Sequence, residues 1–394
     1  MNRRSVDQHA AAVAELLRPL LELPTESVPL RAALGRFLPT DVVSPIDLPN
    51  FQNSQMDGYA VESAAIQSVP VTLPVAGVIA AGLTDLPALP RGGALKIMTG
   101  APIPAGADCI VPVEDTTAAD GMVTVLRSRR TGEFVRNAGS DVQKGRPLVT
   151  AGTLLGARHV AALAAAGLTE VAVRRRPRVA VITTGTELVA AGTPLLPGQI
   201  YDSNGTALAS SFEANGADVV RVAHSDDDTA AMTALLDECA ATADVIVTSG
   251  GVSMGDFEVV KETLLPLGGH FGPVAMQPGG PQGLSVYNGV PVLSFPGNPV
   301  STLVSFEVFA RRPIRAISGL PALPRQTRTL TADISSVPGK RQFVRGKFTE
   351  NGIEPMRGTG SHLVAGLAWA DALISVPAEH TVVPAGVDVE ILVL

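Results

Sequence analysis

The sequence predicts a multidomain chain of the α/β plus β class. Three observations lead there. The chain has 394 residues, more than one small domain usually holds. Residues 178–319 alternate apolar strand-like runs with helical stretches. That is the βαβ pattern of a doubly wound, mostly parallel sheet with helices on both faces. Residues 40–150 and 325–394 instead carry short apolar runs between Gly and Pro, the texture of β-rich domains.

Each element has its own signal. Residues 5–22 read as an amphipathic helix. Ser5 and Gln8 match a capping box, Val6, Ala10, Val13, Leu17 and Leu20 share a face, and Pro24 ends the run. Ala151–Gly167 is Ala-rich and reads as a helix closed by Gly167. The triplet Arg174-Arg175-Arg176 before Pro177 reads as a solvated linker. Strands are predicted at Arg178–Thr183, Asp218–Ala223, Asp244–Thr248 and Val290–Phe295. Helices are predicted at Ala207–Glu213, Thr229–Ala241, Phe257–Leu265 and Val300–Ile317. Pro321-Ala322-Leu323-Pro324 reads as a second linker, before a small barrel-like β-domain.

Composition narrows the function. Hydrophobic residues make up 46 % and charged residues 17 %, which supports packed cores and argues against disorder. A net charge of −7 with only 4 % aromatics argues against a nucleic-acid surface. Cys109 and Cys239 have no CxxC neighbour and read as two buried small hydrophobes in a reducing compartment. With no signal-peptide pattern and no long apolar run, the expected location is the cytoplasm.

Ligands of doubly wound sheets bind beyond the carboxyl ends of the strands. Three Gly-rich loops fall there: Thr183-Thr184-Gly185-Thr186-Glu187, Ser249-Gly250-Gly251-Val252-Ser253-Met254-Gly255-Asp256, and Pro296-Gly297-Asn298-Pro299. Their amides and hydroxyls suit a phosphate or another oxyanion. No Gly-Lys-Ser/Thr follows the glycines, and no clean GxGxxG occurs, so P-loop and dinucleotide readings lose support. No His pair has metal-ligand spacing and no Ser sits in GxSxG, so a hydrolytic triad is a poor fit. His362, in a Gly-Ser-His turn, reads as a surface polar residue. Glu187, Asp256 and Glu258 near strand ends offer hard oxygen ligands for Mg²⁺ against phosphates. The alternative for Asp256, Glu258 and Asp228 is a helix cap or first-turn acid. Asp202-Ser203-Asn204-Gly205 reads equally as a turn and cap.

Six motifs occur in order: Met56-Asp57-Gly58-Tyr59-Ala60, Ile97-Met98-Thr99-Gly100-Ala101-Pro102, Thr184-Gly185-Thr186-Glu187-Leu188, Asp202-Ser203-Asn204, Ser249-Gly250-Gly251-Val252-Ser253 and Pro296-Gly297-Asn298-Pro299-Val300-Ser301. In these the chain resembles the MoeA/gephyrin E-domain family of molybdopterin molybdenumtransferases over nearly its whole length. The resemblance implies an elongated homodimer of four-part subunits. Residues 1–45 with 143–176 would form a helical linking domain and 46–142 an inserted β-rich domain. Residues 177–320 would form a MogA-like α/β domain that binds molybdopterin, and 325–394 the C-terminal barrel-like domain. It implies insertion of molybdenum from molybdate into adenylylated molybdopterin, with Mg²⁺ and release of AMP.

Carried over residue by residue, the resemblance implies a catalytic set of Asp57, Thr99, Asp141, Glu187, Asp227, Glu258 and Ser361. Asp57 and Thr99 would complete the site across the dimer. Mg²⁺ would be held by Glu187, Asp227, Asp256 and Glu258. The substrate would meet Thr184, Gly185, Ser203, Asn204, Ser249, Gly250, Gly251, Ser253, Gly255, Pro296, Gly297, Asn298 and Pro299. Two departures matter. Gly280 and Gln277 stand where Lys is usual, and Glu258 stands where Asp is usual. A lost cation near an anion costs roughly 1.5–3 kcal/mol per charged hydrogen bond. Gephyrin's use of this domain as a scaffold implies an alternative, a dimer with reduced catalysis that binds a partner's peptide in an apolar groove near the last two domains.

Overall fold

The computed structural model describes residues 3–253, 258–358 and 360–394. The chain forms two compact units, Met1–Glu26 with Arg174–Leu394, and Ser27–Val173.

The larger unit is built on a six-stranded sheet: β1 (Arg178–Thr184), β2 (Asp218–Ser225), β3 (Val245–Ser249), β4 (His270–Pro273), β5 (Pro281–Tyr287) and β6 (Val290–Phe295). The strand order is β2-β1-β3-β6-β5-β4. The first four are parallel, while β5 runs antiparallel to β6 and to β4. The chain leaves β1 toward β2, then crosses back to β3. A topological switch point therefore lies between β1 and β3.

Both faces of β1 are covered, which explains its unbroken apolar run. Val179 and Val181 join one core with Leu208, Phe212, Phe306 and Phe309. Ala180 and Ile182 join the other with Met232, Leu236 and Val260. The first face carries α1 (Val6–Leu17), α2 (Asn204–Ala214), α5 (Pro299–Ser305) and α6 (Arg311–Ile317); the second carries α3 (Thr229–Ala240) and α4 (Val259–Leu264).

Local signals fared well where they were strong. The Ser5–Gln8 capping box forms, with Gln8 N donating to Ser5 Oγ at 3.1 Å and Ser5 N donating to Gln8 Oε1 at 2.8 Å. The α-helix stops at Leu17 and tightens to a 3₁₀ turn over Arg18–Glu22, because Pro19 has no N–H for the helical ladder. The predicted helix at 300–317 is interrupted by a π turn at Phe306–Ala310. Arg174-Arg175-Arg176 is not a solvated linker. All three are half-buried, and Arg175 grips Asp244 with two hydrogen bonds of 2.7 and 3.0 Å.

The C-terminal part of this unit is barrel-like. Its main path pairs Met276–Gln277, Arg341–Thr349, Ala372–Val376, Asp388–Val393 and Gln326–Thr329. Gly352–Pro355 pairs with Arg341–Thr349. A bridge between Leu330 and Ile353, with Thr331 N donating to Ile353 O at 3.0 Å, links this added strand to the Gln326–Thr329 end of the path.

In the smaller unit, a six-stranded sheet has the order Cys109–Pro112, Gly58–Val61, Ala94–Ile97, Val71–Ile79, Met122–Val125, Thr116–Ala119. The helix expected over 151–167 is confined to Ala157–Ala165. Residues 153 and 155 instead bond to the 35–38 backbone, with Leu38 N donating to Thr153 O and Leu155 N to Arg36 O, both at 2.9 Å. No helix among the described residues is long and apolar enough to cross a membrane.

Candidate active site

A cleft of about 1180 Å³ opens at the carboxyl ends of β1, β3 and β6. From β1 come Thr184, Gly185 and Glu187, whose carboxylate folds back against Gly185. Asp227 follows β2 and enters the same cleft. Its pKa is raised by burial, then by the Glu187 and Asp226 charges, and a backbone bond from Thr186 only partly offsets this. Asp227 is thus an acid held among acids.

From β3 come Gly250, Gly251 and Ser253. Gly250 has φ +101°, and a Cβ there would run into Thr184 Oγ1 and O, so only glycine lets these loops approach. Ser253 N donates to Glu258 Oε2 at 2.6 Å. Glu258 stands at the start of α4 without capping it, and its carboxylate also lines the cleft. Gly255 and Asp256, both expected at the site, lie outside the described residues.

Asn204 locks three loops together. It is buried, and its Nδ2 donates to Ser249 Oγ at 3.0 Å and to Gly297 O at 2.6 Å. Ser249 lies beneath the cleft rather than on it, 3.1 Å from Thr302 Oγ1 and 3.2 Å from Pro296 O. Asp202 accepts from Asn204 N and Gly205 N at 3.0 Å each and from Thr183 Oγ1 at 2.7 Å. The first amides of α2 are therefore already satisfied by the protein, as the turn-and-cap reading of this segment had it. Ser203 makes no cap bond and faces the cleft.

The rest of the lining carries no carboxylate. Pro296, Gly297, Asn298 and Pro299 contribute to it with Gln277, Gly279, Ser301, Ser361 and His362. Ser361 O accepts from Val300 N at 3.0 Å. Buried Arg345 brackets the Ser361 loop, donating to Gly358 O at 2.5 Å and Leu363 O at 2.8 Å. Among the described lining residues there is no Lys or Arg, against Glu187, Asp202, Asp227 and Glu258. A Cβ at Gly280 would meet only ordinary contacts, 3.6 and 3.7 Å from Val274 O and Met276 O.

Asp57, Thr99 and Asp141 belong to the smaller unit. Asp57 Oδ1 accepts from Thr99 N at 2.7 Å and from Thr99 Oγ1 at 2.8 Å. These bonds hold the Asp57 pKa below the usual carboxylate value, with Lys96 adding a smaller pull. Gly58 beside it has its Cα against the Val111 carbonyl, where no side chain fits. Asp141 is exposed, and its N–H donates to Leu48 O at 2.9 Å.

No group of three or more metal-ligating side chains occurs among the described residues. The Glu187–Asp227 pair still suits Mg²⁺, which commonly takes one or two carboxylates and fills its shell with water and substrate phosphates. Sequence reasoning took Gln277 only as a missing cation and His362 only as a surface polar residue, and it missed Arg345, which holds the Ser361 loop without lining the cleft. Arg345 carries no local signal, because the loop it holds is remote in sequence.

Three family models match consecutive parts of the chain. The MoeA N-terminal region (domain I and II) covers residues 4–167, a probable molybdopterin binding domain covers 180–316, and the MoeA C-terminal region (domain IV) covers 327–394. Molybdopterin molybdenumtransferase 2 of Mycobacterium tuberculosis is 43 % identical over 98 % of this chain and 99 % of its own length. Molybdopterin molybdenumtransferase of a Nostoc species is 38 % identical over 94 % and 89 %. Among solved structures, a molybdopterin biosynthesis MoeA protein from Pyrococcus horikosii is similar over 100 % of this chain and 99 % of its own, with a TM-score of 0.80 at 32 % identity.

Proposed function

This chain belongs to the MoeA family, and from that premise we propose that it transfers molybdenum from molybdate to adenylylated molybdopterin, with release of AMP. The observation that carries this reading is the cleft itself, where Glu187 raises the pKa of Asp227 and hydroxyls and amides share the lining. In the reaction, water cleaves the phosphoanhydride and AMP leaves. Two Mo–S bonds form as one molybdate oxygen departs as water with the two thiol protons.

Glu187 and Asp227 would hold Mg²⁺, with Glu258 as a further carboxylate in the cleft lining. Bound there, Mg²⁺ supplies charge neutralisation to the phosphoanhydride. Gly250 and Gly251 let their loop pack against Thr184 and Val260, which sets the backbone lining of the cleft. Thr184, Ser203, Ser253, Ser301 and Ser361 offer hydroxyls to phosphate, pterin or molybdate oxygens. Asn204 and Ser249 act by fixing the loops. We assign Asp57, Thr99 and Asp141 supporting roles in the same reaction, in a homodimer. Light scattering tests the dimer, which should weigh twice the 40.6 kDa chain.

The decisive experiment is reconstitution with purified protein, adenylylated molybdopterin, molybdate and Mg²⁺, following AMP and mature cofactor together. Coupled formation of both supports the reading. AMP without cofactor, or neither product, overturns it.

One observation favours a second reading, a scaffold that binds a partner's peptide. An apolar pocket of about 280 Å³ is lined by Leu303, Val304, Val364, Leu367, Leu373 and Leu394. Failed reconstitution together with peptide binding abolished by Leu367→Asp would favour it.

A further inference from the structure

Away from the cleft, the larger unit has a small recess of about 20 Å³ where α1 meets β4 and β5. Arg4, His9, His270 and Gln282 contribute its polar lining. Among the described residues, three buried polar atoms of this lining have no partner: Arg4 Nη1, His9 Nε2 and Gln282 Oε1. His9 is 2 % exposed and Gln282 1 % exposed, so bulk water does not satisfy them. Native proteins rarely leave such atoms unpaired, and three around one void call for an occupant.

The chemistry selects that occupant. Gln282 Nε2 donates to Gly279 O at 2.8 Å and to Ser305 Oγ at 2.7 Å. The amide is therefore oriented, and Oε1 must accept. Arg4 Nη1 can only donate. His9 is held neutral, since burial, then Arg4, then His270, lower its pKa to about 3. Its Nε2 accepts or donates according to tautomer. A cation is excluded by Arg4, and an anion would face the Gln282 carbonyl oxygen. A water molecule satisfies all three atoms, and three bonds are the usual number for a buried water. The volume exceeds the roughly 10–15 Å³ that one water needs and leaves no room for a larger guest.

We infer that this recess holds one ordered structural water, bound by Arg4, His9 and Gln282. Through it Gln282 acts as a positioning residue. One end of its amide is anchored on the water, and the other holds Gly279, which lines the cleft beside Gln277 and Pro278. The N-terminal helix thus braces one wall of the cleft. This inference does not depend on the reaction proposed above.

A crystal structure of the unmodified protein, grown in bromide buffer, tests the site. The expected result is an oxygen-sized peak within hydrogen-bond distance of all three atoms, without bromide anomalous signal. An empty void, an anomalous peak, or Arg4 turned out to solvent overturns it. Gln282→Met tests the positioning. Amide exchange over residues 276–281 should quicken about tenfold or more, while exchange in β3 stays within twofold. Unchanged exchange at 276–281, or an equal rise in both segments, overturns the positioning role. If the variant does not fold, His9→Phe with the same two readouts replaces it. That change removes the water's third partner and part of its space while leaving the Gln282 amide in place, so a smaller rise of a few-fold, confined to 276–281, is expected.

Discussion

Asp57 and Asp227 are both motif carboxylates, and their surroundings are opposite. Asp57 takes two hydrogen bonds from Thr99, which stabilise its charge. Asp227 is partly buried beside Glu187 and Asp226, which destabilise its charge. The first carboxylate is satisfied by the fold. The second is left with a demand that a cation can meet. Perturbed acids in clefts mark functional sites for this reason.

The largest expected effect comes from breaking the second arrangement. Asp227→Asn should lower kcat/KM by about 100-fold or more, the scale of losing a metal or oxyanion contact. The same change should raise stability slightly. Because the folded pKa of Asp227 lies above its unfolded value, the folded state binds more protons between the two. Stability therefore falls as pH rises through that window and stays lower at neutral pH. Removing the charge restores a few tenths of a kcal/mol after solvent screening. Thermal melting at pH 7 without Mg²⁺ checks the sign, and a lowered melting temperature would contradict the crowded-acid account.

A third acid sharpens the contrast. Asp244 is opposed by burial, yet Arg175 and Arg178 bond it strongly enough to hold its pKa at about 2. Asp244→Asn should cost about 2–4 kcal/mol of stability, read by denaturant titration, with no direct effect on metal binding. Here the folded pKa is depressed. The stabilisation is full above the unfolded value near 3.8 and is lost as pH falls toward 2. The variant should therefore show a flatter acid limb than the parent.

A smaller effect is expected at the carboxylate-free part of the lining. Gly280 does not itself line the cleft but stands between Gly279 and Pro281, which do; Gly280→Lys has room for its Cβ and should bring a cation to the cleft. Molybdate affinity should rise about tenfold, the scale of one charged hydrogen bond. Isothermal titration checks it, and no change would mean that the cleft recruits its charge elsewhere. Smallest of all, Asp57→Asn should lower turnover by a few-fold without raising the melting temperature. It should also remove an acid-limb contribution that is present above pH 3.8 and fades as pH falls through the lowered Asp57 value. A stabilised Asp57→Asn protein would erase the contrast with Asp227.

Much of this was legible in the residues alone. The apolar run of β1, the cap of α1 and the order of the Gly-rich loops follow from short-range chemistry. Val290–Phe295 was placed to the residue because a short, mostly apolar run bounded by Gly289 and Pro296 is the length of a buried strand. The antiparallel pair β4 and β5 was not foreseen. Gly and Pro interrupt both strands, and their pairing depends on partners rather than on period. The Arg175 grip on Asp244 was hidden for a similar reason, since 69 residues separate the two.

The sequence by itself determined which residue types stand at the ends of the strands, because strands, turns and caps are set by neighbours a few positions away. Only the tertiary structure decided what each of those residues does. Ser249 was drawn under the cleft by Asn204 and Thr302, while Asp227 was brought against Glu187 because β2 pairs with β1. Arg345 came to hold a loop from a neighbouring strand. A side chain's charge and its partners are settled by which backbones pack together, and that information is spread over the whole chain.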